Sequence, residues 1–114
     1  MIYYDKNIWK FDGADQTTAP NQIKVNIGFN GLVAMDFTGM MSADDSIASI
    51  TSASFADITG TEPTISSSAV SGNTQLAVLT LATASATANT YTVSVKVLTT
   101  DGETLVGKGL LVVS

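Results

Sequence analysis

The chain contains no cysteine and no histidine. The first absence removes disulfides, thiolate nucleophiles and any sign of an oxidising compartment. Together the two remove the commonest metal ligands and the bases that activate serine or cysteine. Charge is scarce too: 13% of the residues are charged, about half the usual share. The balance is acidic, a net −5 with a pI near 4.2, which argues against nucleic acid as a partner. No apolar run reaches the length of a membrane span, so no membrane partner is expected. The N-terminal residues lack the basic region and apolar stretch of a signal peptide. With 114 residues and 11.8 kDa, one domain can bury a core without staples. Ser, Thr and Ala abound instead of charge. Such a surface suits a protein that lives against others, and equally a β-rich domain whose strands favour Thr.

The strongest local pattern closes the chain. Tyr91, Val93, Val95 and Val97 alternate with Thr92, Ser94, Lys96 and Leu98, the mark of a half-buried strand. A turn signal at Asp101 and Gly102 follows, then a second apolar run from Leu105 to Val113. Parity decides the turn. A two-residue loop would set Lys108 opposite Val95 inside the core, an unpaired buried charge costing several kcal/mol. A three-residue loop, a type I turn closed by a left-handed Gly102 as a bulge, moves the register by one. The core face then reads Tyr91, Val93, Val95, Val97 against Leu105, Gly107, Gly109, Leu111, Val113. The outer face carries Leu98, Val106 and Leu110 beside Lys96 and Lys108, and both lysines reach water.

Residues 1–21 form an arm without periodicity but rich in aromatics: Tyr3, Tyr4, Trp9 and Phe11. It packs either as an edge strand of its own domain or on a neighbour. Residues 22–114 form the folded domain. Ile23, Val25 and Ile27 mark one strand, and Val33, Met35 and Phe37 the next. Asn30 and Gly31 between them are a strong hairpin signal, yet a tight turn there sets Val25 opposite Asp36. A longer loop, a bulge near Gly28 or placement in two different sheets resolves that conflict. Further strands are expected over 46–54, 65–70 and 75–82, the last with Leu76 and Val78 on its second face. About seven short strands with no helix predict an all-β, antiparallel β-sandwich of immunoglobulin or fibronectin type III kind. Tyr91 stands where such sandwiches place a tyrosine corner, or is an ordinary core tyrosine.

Residues that carry chemistry are few. Asp44 and Asp45 are the one adjacent acidic pair, but the spacing of a calcium loop is missing, and a solvated acidic loop is the better reading. Asp5 to Asn7 starts like a calcium loop and fails at Trp9. Asp12 and Asp15 lack a cleft to act in. Ser66 to Ser68 have no base to activate them, and Gly28, Gly31 and Gly39 lack phosphate-loop spacing. No enzyme, metal or cofactor is expected. Exposed apolar area is the better signal, so the expected interface comprises Tyr3, Tyr4, Trp9, Phe11, Leu98, Val106 and Leu110.

Three segments add a resemblance. They are Asp44-Asp-Ser-Ile-Ala-Ser49, Ile65-Ser-Ser-Ser-Ala-Val-Ser-Gly-Asn-Thr74, and the closing hairpin from Asn89 to Leu105 with Tyr91, Val93, Val97, Thr99 and Gly102 at set spacing. This pattern resembles the small Ig-like virion proteins of tailed bacteriophages, the fibre–tail adaptors and head decoration proteins. The resemblance spans residues 44–114, and the aromatic arm has no counterpart in it. It implies a non-enzymatic structural protein in the virion, bound to a phage capsid or tail protein, with a homo-oligomer also compatible. The alternative is a carbohydrate- or surface-binding Ig-like module of a cell-envelope or host-recognition protein, which exposed aromatics such as Trp9 would favour. On the virion reading, deletion of residues 1–12 is expected to abolish particle binding while leaving the sandwich folded.

Overall fold

A computed structural model of the chain describes residues 7–11, 18–41, 44–56, 63–70, 75–83 and 87–114. Eight strands lie among the described residues: β1 (Ile8–Lys10), β2 (Thr18–Val25), β3 (Asn30–Asp36), β4 (Ile47–Ala56), β5 (Thr64–Val70), β6 (Leu76–Ala82), β7 (Asn89–Thr99) and β8 (Thr104–Val113). A single 3-10 turn, Thr38–Met40, is the one helical element among them. The strands form two four-stranded sheets, in the orders β1-β3-β6-β5 and β2-β8-β7-β4, which pack as a sandwich. The fold is all-β, as expected from the short alternating runs.

The closing hairpin has the bulged register. Tyr91, Val93, Val95 and Val97 pair with Leu111, Gly109, Gly107 and Leu105. The Gly102 N–H donates to the Thr99 carbonyl at 3.0 Å and the Thr99 N–H to the Glu103 carbonyl at 2.8 Å. Gly102 has φ +91, a conformation that costs an L side chain about 1 kcal/mol or more. Every second residue of β7 from Tyr91 to Thr99 is buried, so the alternation in the sequence becomes one face of the core.

Two expectations are corrected. The sandwich is mixed, not purely antiparallel: β1 runs parallel to β3 and β2 parallel to β8. Asn30 and Gly31 make no hairpin turn but open β3. The chain turns earlier, where the Phe29 N–H donates to the Asn26 carbonyl at 3.1 Å across Gly28 at φ +99, as a glycine-bearing type II turn requires. That turn crosses between sheets, so β2 and β3 both aim their apolar residues at one core and Asp36 is never set against Val25. Thr83 clamps the crossing. Its buried hydroxyl donates to the Asn26 carbonyl at 2.7 Å and accepts from the Phe29 N–H at 2.9 Å.

The described residues of the arm take the first of its two alternatives, packing as an edge strand of the chain's own domain. β1 lies inside the expected arm and β2 runs through its boundary at residue 21, so no structural break separates residues 18–21 from the domain. Trp9 is 0% exposed and Phe11 is buried with it. The reason is the face of β8. Gly107 and Gly109 leave a depression between the sheets, and the arm fills it. A Cβ on Gly109 would stand 2.5 Å from two atoms of the Trp9 indole, and one on Gly107 would stand 2.7 Å from Phe11 and 2.8 Å from Met35 and Phe37. Phe11 and Phe37 stack tilted, centroids 5.5 Å apart.

Polar bonds hold this short strand at the sheet edge. The Trp9 Nε1–H donates to the Leu110 carbonyl at 3.0 Å. The Asn21 amide stands in for a missing neighbour strand, accepting from the Lys10 N–H at 3.1 Å and donating to the Ile8 carbonyl at 2.6 Å. Asn21 thus satisfies backbone groups that would otherwise face an open edge. Deleting residues 1–12 removes the largest buried side chain, Trp9, so the described residues of the arm are part of the fold rather than an appendage to it.

Trp9→Ala is expected to lower the unfolding free energy by about 3–5 kcal/mol, read from urea midpoints. Gly109→Ala is also destabilising, because its Cβ and the indole need the same space. Since both changes act on that one contact, the double variant should cost less than the sum of the singles. Additive costs would show that the two residues do not depend on each other.

Candidate interaction surface

Of the seven residues expected at an interface, the structure brings three to one surface. Leu98, at 39% exposure, and Val106, at 37%, lie open on the outer face of the β2-β8-β7-β4 sheet. Leu110 shares that face and is half-buried. Trp9 and Phe11 are inside the core and present no contact surface, because the glycines of β8 draw them in. Tyr3 and Tyr4 lie outside the described residues. On the other sheet Leu76 is buried and Val78 half-buried, so the second expected apolar face offers little open area.

The outer face carries charge that apolar counting alone did not weigh. Lys24, Lys96 and Lys108 all project exposed from it. Lys96 pairs in register with Val106, Lys108 with Ser94, and Lys24 with Val112. They form a diagonal band across β7, β8 and β2, with Leu98 and Val106 beside it. The four strands of this sheet contain no aspartate or glutamate. In a chain of net charge −5, one sheet face is therefore basic. Lys96 and Lys108 were placed outward by parity alone; Lys24 needed the parallel pairing of β2 with β8, which alternation does not reveal.

Acidic residues gather at the end of the sandwich where β7 turns into β8. Asp44, Asp101 and Glu103 are exposed there, and Asp45 is buried at 6%. The expectation of a solvated acidic loop holds for Asp44 and fails for Asp45. Asp45 Oδ1 accepts from the Ser46 N–H at 2.8 Å, the Thr100 hydroxyl at 2.9 Å and the Asp101 N–H at 3.3 Å. The Thr100 N–H donates to the Ser46 carbonyl at 2.9 Å, and Gln75 Nε2 to the Asp45 carbonyl at 3.1 Å. One carboxylate thus pins the loop before β4 to the turn of the closing hairpin. Nearby, Asp36 Oδ1 accepts from both the N–H and the hydroxyl of Thr38. Among the described residues no group of three or more Asp, Glu, His or Cys side chains is placed to hold a metal ion.

Two opposed effects act on Asp45. Desolvation pushes its carboxyl up, while hydrogen bonds from Ser46, Thr100, Thr99 and Asp101 pull it down by more, so it lies below the ordinary carboxylate value. A depressed folded-state value means that Asp45 stabilises the fold fully above the unfolded-state pKa of about 3.9 and loses that contribution as pH falls through the folded value. Asp45→Asn should therefore be less stable than the natural chain at pH 7, and the gap should narrow as pH drops below about 4. Urea midpoints taken across that range test this; a gap that stays constant with pH contradicts it.

Comparison with protein-family models, curated proteins and solved structures finds no match.

Proposed function

We propose that the chain is a non-enzymatic structural protein of a tailed-bacteriophage virion, an Ig-like accessory that attaches to a capsid or tail protein through surface burial. The observation that carries the reading is the corner at Tyr91. Its hydroxyl donates to the Thr87 carbonyl at 2.5 Å, and its ring is buried edge-on against Phe55, centroids 5.9 Å apart at 71°. A tyrosine near the start of the penultimate strand, bonded to backbone just upstream, is the tyrosine corner of immunoglobulin-like sandwiches. The strand orders support the same reading. With β3, β6 and β5 as B, E and D, and β4, β7 and β8 as C, F and G, they follow the ABED and CFG sheets of that fold. The parallel strands β1 and β2 at the sheet edges depart from its antiparallel rule. The corner and its hairpin lie within the stretch that resembles the phage proteins.

The surface fits attachment better than chemistry. Exposed leucine and valine lie together on one sheet face, and contiguous exposed apolar area is a mark of an interaction surface. The carbohydrate-binding alternative needs an aromatic platform, and Trp9, the tryptophan it would use, is enclosed in the core.

Virions of the phage encoding the chain provide the test. The protein should copurify with particles through a density gradient, and recombinant protein should rebind particles that lack it. Copies in proportion to capsid subunits identify a decoration protein, which stabilises the shell by binding only the assembled form. A few copies that follow the tail identify an adaptor. Absence from particles, with retention on a glycan column, would establish the surface-binding module instead.

A further inference from the structure

We infer that the outer face of the β2-β8-β7-β4 sheet docks on the same face of a second copy of this chain, forming a two-fold dimer with strands antiparallel across the interface. The inference uses the face that the attachment reading also offers but does not need that reading: the free chain dimerises there, and binding to a particle through this face would compete with the dimer. The inference follows from the order in which charge and apolar groups appear along the hairpin. Starting from the turn, the acidic Asp101 and Glu103 come first, exposed and with Asp44 at the same end. Next comes the pair Leu98 and Thr104, then Lys96 and Val106, then Ser94 and Lys108. Of the two most exposed large apolar side chains of the sheet, Leu98 thus lies between the negative end and the first lysine, and Val106 lies level with Lys96.

That order is self-complementary under one operation. A two-fold axis running across the strands beside Leu98 and Val106 reverses the partner's strand direction. It brings the apolar pairs of the two copies together and lays each acidic turn over the other copy's Lys96 and Lys108. An isologous contact of this kind uses one patch twice and closes as a dimer. The other face-to-face arrangement, with strands aligned in the same direction, stacks lysine on lysine and acid on acid and is repelled. A nucleic acid would meet the lysines but also the acidic turns of a chain with net charge −5. A second copy supplies positive and negative groups in matching positions, and that decides between the two occupants.

The face is small. Four strands about 4.8 Å apart and about ten residues long at ~3.3 Å each offer roughly 600 Å² in outline. A standard interface takes about 800 Å² from each partner. Association is accordingly weak, and because its charges are exposed at the rim it depends on salt.

Sedimentation of the full chain tests the proposal. At low ionic strength the protein should form a dimer as concentration rises. At about 1 M salt, where the Debye length shrinks to about 3 Å, the dissociation constant should rise by about tenfold or more. Two surface variants sharpen the test, each first checked for unchanged thermal unfolding. Lys96→Glu with Lys108→Glu sets acid against acid and should be monomeric; Asp101→Lys with Glu103→Lys sets lysine against lysine and should be monomeric too. Mixed in equal amounts, the two variants offer opposite charges at both turns and should form a heterodimer. A wild-type chain that stays monomeric at low salt overturns the inference. So does a dimer indifferent to both variants, a mixture that fails to associate, or an assembly larger than a dimer.

Discussion

The contact on which the structure depends is that between the Trp9 indole and the bare backbone of Gly109. β8 has no side chain at the two inward positions, Gly107 and Gly109, that face the middle of the core. Left unfilled, that space would be a cavity, with the loss of dispersion contacts that follows. The chain fills it with aromatic residues from its own N-terminal segment, and the filling dictates topology. For Trp9 to reach Gly109, β1 must lie at the edge of one sheet while β2 continues along β8 in the other. Asn21 then closes the backbone edge that so short a strand leaves open.

The same contact separates folding from recognition. Aromatic residues near a chain end suggest a docking arm, and here the described ones are committed to the core. What remains for partners is the outer sheet face, where alternation with the core residues sends Lys96, Leu98, Val106 and Lys108. None of these four residues belongs to the buried core cluster, so this surface is less constrained by the fold than the inward face. The arm has no such freedom, since Trp9 fills the space over Gly109 and Phe11 shares that over Gly107 with Met35 and Phe37.

The closing hairpin was legible from the sequence down to its register, because burying Lys108 unpaired is a large penalty and only the bulged turn avoids it. Gly107 and Gly109 were likewise legible as core-face positions without side chains, which a large neighbour must cover. The identity of that neighbour was not, since it lies about a hundred positions away and no local periodicity connects Trp9 to Gly109. The Asn30–Gly31 signal misled for a related reason: its dipeptide chemistry favours a hairpin, but the core needs both β2 and β3 to face inward from different sheets. Asp45 was misread as solvated because its partners, Thr100 and Asp101, come from the far hairpin. Local pairing decided by one strong penalty could be read; edge strands and buried polar contacts between distant segments could not.

A chain with 13% charged residues can keep its sheet faces nearly neutral, yet three of its five cations lie on one face whose strands hold no acid. Strand formation does not require this, since threonine or serine at those positions would serve the sheet equally well. Solubility does not require it either, because the net charge is negative and more acid would serve better. Exposed lysines also protect sheet edges from unwanted pairing, but of these strands only β2 is an edge; β7 and β8 are central. Lys96 and Lys108 therefore contribute nothing to edge protection. Their position beside exposed leucine and valine, one step from an acidic turn, is best accounted for by a contact with a surface of opposite charge order.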